Sequence, residues 1–173
     1  MGYILPDLPP AWADRPGKAW RAACRSYALI WGVLGRTVVE MCGETGLQAV
    51  AEAFRRIARL QAGRAFETGQ FERNARGMAA YMQRAEETLG MWVEIEEGAT
   101  PRRAVFRWRR CPLYDDPARE STPELCLAYD QFEVEAARLC HPRLQCTITK
   151  SMGRGDDCCE MVFEMAGEGP EEG

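Results

Sequence analysis

The spacing of apolar residues changes from helical to alternating at Gly90, and no other feature of the chain limits its fold as much. Before Gly90, apolar residues recur every three or four positions, as on the face of an amphipathic helix. After it they alternate, as on a half-buried strand.

Three helices are expected in the first part. Over 18–42, Trp20, Cys24, Tyr27, Ile30, Trp31, Leu34, Val38 and Met41 form one apolar stripe, and Gly43 is placed to end it. From 45, Leu47, Val50, Ala51, Phe54, Ile57, Ala58 and Leu60 face inward, with Arg55, Arg56 and Arg59 outward. Over 70–89, Phe71, Ala75, Met78, Ala79, Met82 and Leu89 share a side. These helices are expected to supply packing, with Trp20, Tyr27 and Trp31 as anchors and a candidate homodimer contact. Their polar residues are expected in solvent, so no catalytic group is assigned to them.

The second part has strand periodicity. Met91, Val93 and Ile95 alternate with Trp92, Glu94 and Glu96; a turn at 98–101 leads to a strand over 104–110. After a polar loop with Asp115, Asp116 and Pro117, Thr122 is an N-cap with Pro123 at the first helical position. That helix should run to Cys140, where His141 and Pro142 break it. Strands over 144–149 and 159–165 follow, joined by a tight turn at 153–157. Helices followed by ββαββ describe an α+β fold whose antiparallel sheet is covered on one face.

A chain of 173 residues suffices for one core, expected over 17–166. Pro6, Pro9, Pro10 and Pro16 favour an extended arm over 1–16, and 167–173 reads as a disordered acidic tail. A net charge of −4 gives no general attraction to phosphate backbones or anionic lipid, so neither nucleic acid nor membrane is an expected partner. Residues 1–10 lack the basic start and long apolar run of an export signal, and the most apolar run, 27–34, is too short to span a bilayer. A cytoplasmic location is expected.

The eight cysteines therefore read as reduced thiols. No CxxC pair occurs and His141 is the only histidine, so no cofactor is expected; metal held by cysteines is the alternative. Cys24, Cys42, Cys140 and Cys146 read as core filling, the usual role of a free cysteine. For Cys111, Cys126 and Cys159, core filling and function weigh equally. Cys126, Asp130 and Glu133 fall at i, i+4 and i+7 and share one helix face. Strand alternation turns Cys159 inward with Met161 and Phe163, and Cys158 outward. His141 reads as a helix-end residue. Arg103, Arg107, Arg109 and Arg110 suit a bound carboxylate, but pairing with Glu94, Glu96 and Glu97 across the hairpin is the favoured account for most of them.

The ordered set Cys111-Pro112-Leu113, Cys126, Asp130, Pro142, Thr147 and Gly155-Asp156-x-x-Cys159 resembles the L-2-amino-thiazoline-4-carboxylic acid hydrolase family. It is more distantly similar to 4-vinyl reductase ligand-binding domains. The resemblance implies hydrolysis of a cyclic C=N bond in a small thiazoline carboxylate. It puts Cys111, Cys126, Cys159 and Asp130 forward as catalytic, in one shared cavity. A thiolate among the three cysteines would attack the amidine-like carbon, Asp130 would handle a proton, and a strand arginine would hold the carboxylate. Arg107, Arg109, Thr147 and Trp108 are the candidate substrate-binding residues. The chain departs from the pattern in having Cys158 beside Cys159. The alternative function is a noncatalytic sensor whose thiols bind a small molecule or a soft metal.

Overall fold

The computed structural model describes residues 16–89, 91–111, 113 and 121–167, with side chains for all of these except 16–22, 24, 25 and 110. The expected N-terminal arm, the side chains of Trp20 and Cys24, the loop at 115–117 and most of the acidic tail lie outside the described residues.

The described elements are α1 (Pro16–Glu67), α2 (Ala75–Thr88), β1 (Trp92–Ile95), β2 (Arg103–Arg110), α3 (Pro123–Tyr129), α4 (Gln131–Cys140), β3 (Leu144–Lys150) and β4 (Cys159–Met165). The strands form one antiparallel sheet in the order β1-β2-β4-β3. This is the expected α+β arrangement. Among the described residues no helix is long and apolar enough to cross a membrane.

Alternation gives the sheet two unlike faces. Val93, Ala104, Phe106, Trp108, Leu144, Met161 and Phe163 are buried on one side. They meet Met78, Ala79 and Met82 of α2 and Ala136 and Ala137 of α4, with Ala58, Ala62 and Phe66 of α1 completing the cluster. α2 thus covers β1, β2 and β4, α4 covers β3, and α1 lies behind them against α4 and α3. The other face is polar. There Arg107 pairs with Glu96 and Glu160, and Arg109 with Glu94, much as the hairpin pairing anticipated.

Three expectations change. The first concerns α1, which is helical throughout except at Gly43 (φ 59°, ψ −135°), where the chain turns back. On its first arm Ala28, Gly32 and Gly35 are buried, whereas Tyr27, Ile30, Leu34 and Met41 of the expected stripe are exposed. The packed face is the one with small side chains, because the partner helices come too close for large ones. At Gly35 a Cβ would lie 2.6 Å from the Tyr129 hydroxyl, which donates to the Trp31 carbonyl at 3.1 Å. Trp31 does anchor this arm, its ring lying 4.9 Å from that of Phe54, while Tyr27 packs edge-on to Trp31 but stays half exposed. On the second arm Leu60 is exposed, and Arg55 and Arg59 bond Gln131 and Glu135 of α4.

Second, α2 begins at Ala75 and not near 70, because the Asn74 side chain accepts the Gly77 N–H at 2.9 Å and caps the helix there. Third, the helix expected to run from Thr122 to Cys140 is two helices that meet at Asp130. The break is shallow. The Asp130 N–H bonds the Cys126 carbonyl, and its own carbonyl accepts from Val134, so Cys126, Asp130 and Glu133 keep near-helical order. Thr122 caps α3 through the Leu125 N–H and Pro123 opens it, as expected.

The two arms of α1 touch at backbone level, and this yields a test. A Cβ at Gly46 would lie 2.4 Å from the Val38 carbonyl oxygen, whereas at Gly63 the nearest atom is 4.0 Å away. Gly46→Ala should lower stability in thermal or urea unfolding by about 1–3 kcal/mol, the usual cost of forcing extra volume into a packed contact. Gly63→Ala should raise it by up to about 1 kcal/mol, as expected for removing a glycine from a helix interior. Equal effects at both positions would contradict the close approach of the arms.

Candidate functional site

Glu86 follows Met78 and Met82 on the buried face of α2 and is itself only 5% exposed. The expectation that polar residues of the early helices face solvent fails here. Its carboxylate takes a hydrogen bond from the Trp108 side chain, on the inner face of β2. Across from it, the junction of α3 and α4 supplies Asp130 and Glu133. Glu133 is 8% exposed, and its Oε2 is buried with no hydrogen-bond partner.

Four thiols border these acids. Cys111 follows β2, and the Leu113 backbone N–H points to its sulfur. On α3, the Cys126 Sγ lies 3.3 Å from Ser121 Oγ, and it would be 3.2 Å from a Cβ at Gly153. Cys159 opens β4 and accepts the Met152 N–H at 3.3 Å. Cys146 on β3 lies 3.7 Å from the Met161 sulfur. The short helical turn Met152–Arg154, closed by Gly155 in the left-handed region (φ 96°), carries Gly153 against Cys126. Asp156 fixes that turn by accepting the Ser151 N–H at 2.7 Å.

These groups influence one another electrically. Burial pushes Glu86 and Asp130 up to about 7; Trp108 opposes the rise at Glu86, and Arg154 opposes it at Asp130. Glu133 is also raised, by burial first and then by Asp130 and Glu86. Burial also drives Cys111, Cys146 and Cys159 up, Cys159 to about 11, with the fields of Asp130 and Cys126 adding to it. Cys111 rises through burial and the nearby Cys159, Cys126 and Glu86, and Cys146 through burial, Glu133 and Asp130. A reactive cysteine needs a lowered pKa, and these have the reverse. The groups poised for proton transfer near neutrality are the carboxyls.

The expected site residues thus divide. Cys111, Cys126, Cys159, Asp130 and Trp108 share this region. Arg107, Arg109 and Thr147 lie on the other, solvent-facing side of the sheet, the arginines bonded to glutamates and Thr147 exposed. Arg154 is the arginine whose charge reaches Asp130. Cys158 is buried, yet its charged neighbours are Asp157, Lys150 and Arg109, away from Cys159. Cys140 is buried with its S–H directed at the Glu72 and Asn74 carbonyls, and Cys42 is exposed. His141 caps α4, with Nδ1 accepting the Arg143 N–H at 3.1 Å. Among the described residues no group of three His, Cys, Asp or Glu side chains is arranged to hold a metal ion.

The sequence reading did not single out Glu86, although a signal exists: it stands in phase with Met78 and Met82, an acid on an apolar stripe. Glu133 was visible only as a neighbour of Asp130 and Cys126.

A raised carboxyl pKa means that the folded state binds more protons than the unfolded one between the two pKa values, so stability falls as pH rises through that window. For Glu86 the window runs from 4.5 to about 7. It is faced by Trp108, by the carboxyls of Asp130 and Glu133, by the Cys111 thiol and by the phenols of Tyr27 and Tyr81. Glu86→Gln retains an acceptor for the indole and cannot ionise. The variant should therefore gain on the wild type across this window, by about 3 kcal/mol if the full shift is realised. Urea unfolding of both proteins from pH 4.5 to 8 checks this, and a difference that does not vary with pH would contradict it.

Among curated proteins none matches this chain. Among solved structures, the chain is similar to trafficking protein particle complex subunit 3 from Naegleria fowleri, a crystal structure with covalently bound palmitic acid. The TM-score is 0.56 at 12% identity, covering 87% of this chain and 99% of that one, a likeness of fold. The profile of one family, L-2-amino-thiazoline-4-carboxylic acid hydrolase, matches residues 24–163, reaching from the helical half into the last strand. The chain belongs to the L-2-amino-thiazoline-4-carboxylic acid hydrolase family.

Proposed function

We propose that this protein hydrolyses a C–N bond in a small cyclic amidine that bears a carboxylate and sulfur or nitrogen in its ring. The observation that carries the reading is the group of three buried carboxyls, Glu86 and Asp130 pushed up to about 7, beside Cys111, Cys146 and Cys159, whose thiols burial also drives up. Family membership supplies the substrate class.

In this reading Asp130, as carboxylate, takes a proton from water as the water oxygen bonds to the amidine carbon. The ring C–N bond then breaks, and the nitrogen leaves as an amine holding both protons of that water. One water is consumed and no oxidant or reductant is needed. Cys111, Cys126 and Cys159 line the site, and burial holds the Cys111 and Cys159 thiols above the ordinary range, which disfavours a thiolate at either at neutral pH. Arg154 takes over the carboxylate-holding role first given to Arg107 and Arg109, because its charge is on the side of Asp130.

A second reading, a noncatalytic ligand-binding domain, draws support from the fold it shares with a protein covalently bound to palmitic acid. Saturable binding without turnover would favour it. A homodimer through the first arm of α1 is also proposed. It is supported by the exposed Tyr27, Ile30, Leu34 and Met41, a larger apolar surface than a lone helix usually leaves in water. Light scattering should give twice the chain mass, and Ile30→Glu with Leu34→Glu should reduce it to one.

Loss of 2-amino-thiazoline-4-carboxylate, followed by its ring absorbance, tests the reaction. Asp130→Asn should lower kcat/KM by roughly 100-fold or more, the range for removing a general base, and the wild-type rate should rise with pH through about 7. Cys159→Ala should stay within about tenfold of wild type, as fits a wall residue and not a nucleophile. A folded Cys159→Ala protein without turnover would return the nucleophile to the thiol.

A further inference from the structure

Glu133 holds a position that packing alone does not explain. It lies in the first turn of α4, is 8% exposed, and its Oε2 is the one buried side-chain nitrogen or oxygen among the described residues without a hydrogen-bond partner. Folding normally avoids such an arrangement, since a buried acceptor has given up water and received nothing in return. One donor reaches the carboxyl, the Glu133 backbone N–H, and Oε2 itself is left without a partner. Asp130 and Glu86 are acids, and Cys146 is a thiol raised by the same field. The Trp108 donor is directed to Glu86. An acceptor in this setting is suited to a donor brought by a ligand.

We propose that Glu133 Oε2 accepts an N–H of a bound amidine, so that this residue selects the nitrogen-bearing end of the substrate. Three features favour an amidine over other donors. Its N–C–N unit is planar and places N–H groups in one plane, which matches a carboxylate. Its cation spreads its charge and gives up water more readily than a compact ammonium does, as the guanidinium of arginine does relative to lysine. The surrounding sulfur atoms of Cys146 and Met161 form a polarisable wall suited to a sulfur-bearing ring. The inference rests on the hydrolase reading for the identity of the ligand, and it adds which atom recognises which end.

Calorimetric titration at pH 8 with two probes tests it. 2-Amino-2-thiazoline has the amidine and lacks the carboxylate; 2-methyl-2-thiazoline keeps the ring and lacks the amino N–H. The wild type should bind the amino compound at least tenfold more tightly. Glu133→Leu, which removes the acceptor, should erase that preference, with folding checked by circular dichroism. Equal binding of the two probes by the wild type, or no binding of either, would overturn the inference whether or not the variant folds. So would a folded Glu133→Leu protein that keeps the preference. Turnover of the full carboxylate substrate is measured separately. An amidine preference without turnover removes the hydrolase reading and leaves this one, whereas turnover without the preference does the reverse.

Discussion

The apolar inner face of the sheet has to be covered, and the other elements are arranged around that requirement. Phe106, Met161 and Phe163 are almost wholly removed from water, and each such side chain contributes about 1.5–3 kcal/mol by its burial. A four-stranded sheet cannot supply that cover itself, so α2 and α4 lie across it and α1 closes over α4. Any polar group on the covering faces is then dehydrated along with its apolar neighbours. Glu86 and Glu133 are in that position, and burial is the first cause of the rise in their pKa values.

The two faces of the sheet treat charge in opposite ways. On the outer face Arg107 and Arg109 meet Glu94, Glu96 and Glu160 where water can reach them, and pairs of that kind contribute from nothing to about 1 kcal/mol each. On the inner face Arg154 is the cation acting on Asp130, against two further acids. Burial first, and this imbalance after it, raises the carboxyls toward neutrality and opposes ionisation of Cys111, Cys146 and Cys159. Proton transfer and nucleophilic sulfur therefore make competing demands on this site, and its electrostatics favour the former.

Much of the sheet half was legible because its signals are local. The alternation of Ala104, Phe106 and Trp108, the Thr122-Pro123 helix start and the turn before Cys159 each depend on a few neighbouring residues. The pairing of Arg107 and Arg109 with glutamates was legible too, since cross-strand neighbours follow from the hairpin. The face used by the first arm of α1 was not. Both its faces are apolar, and the decision between Leu34 and Gly35 is made by how closely Tyr129 approaches, a long-range fact. The site was half legible for a similar reason. Asp130 and Cys126 share one stretch of helix, whereas Glu86 joins them only when α2 crosses the sheet. Which side of the sheet Thr147 would occupy, relative to the thiols, likewise depends on the order β1-β2-β4-β3.

The fold by itself leaves the chemistry open. A chain 12% identical can share this arrangement of helices and sheet, and at that distance the shared architecture carries no shared reaction. What distinguishes one member of such a fold from another is the set of polar groups it keeps on the covered faces. Replacing Glu133 with a leucine-like residue would remove the cost of burying an acid with an unpaired oxygen, whereas at Glu86 the change would leave the Trp108 N–H without its acceptor. The presence of Glu133 on that face is thus not explained by packing. The functional argument accordingly rests on Glu86, Asp130 and Glu133 more than on the cysteines, which the same core could hold as ordinary apolar filling.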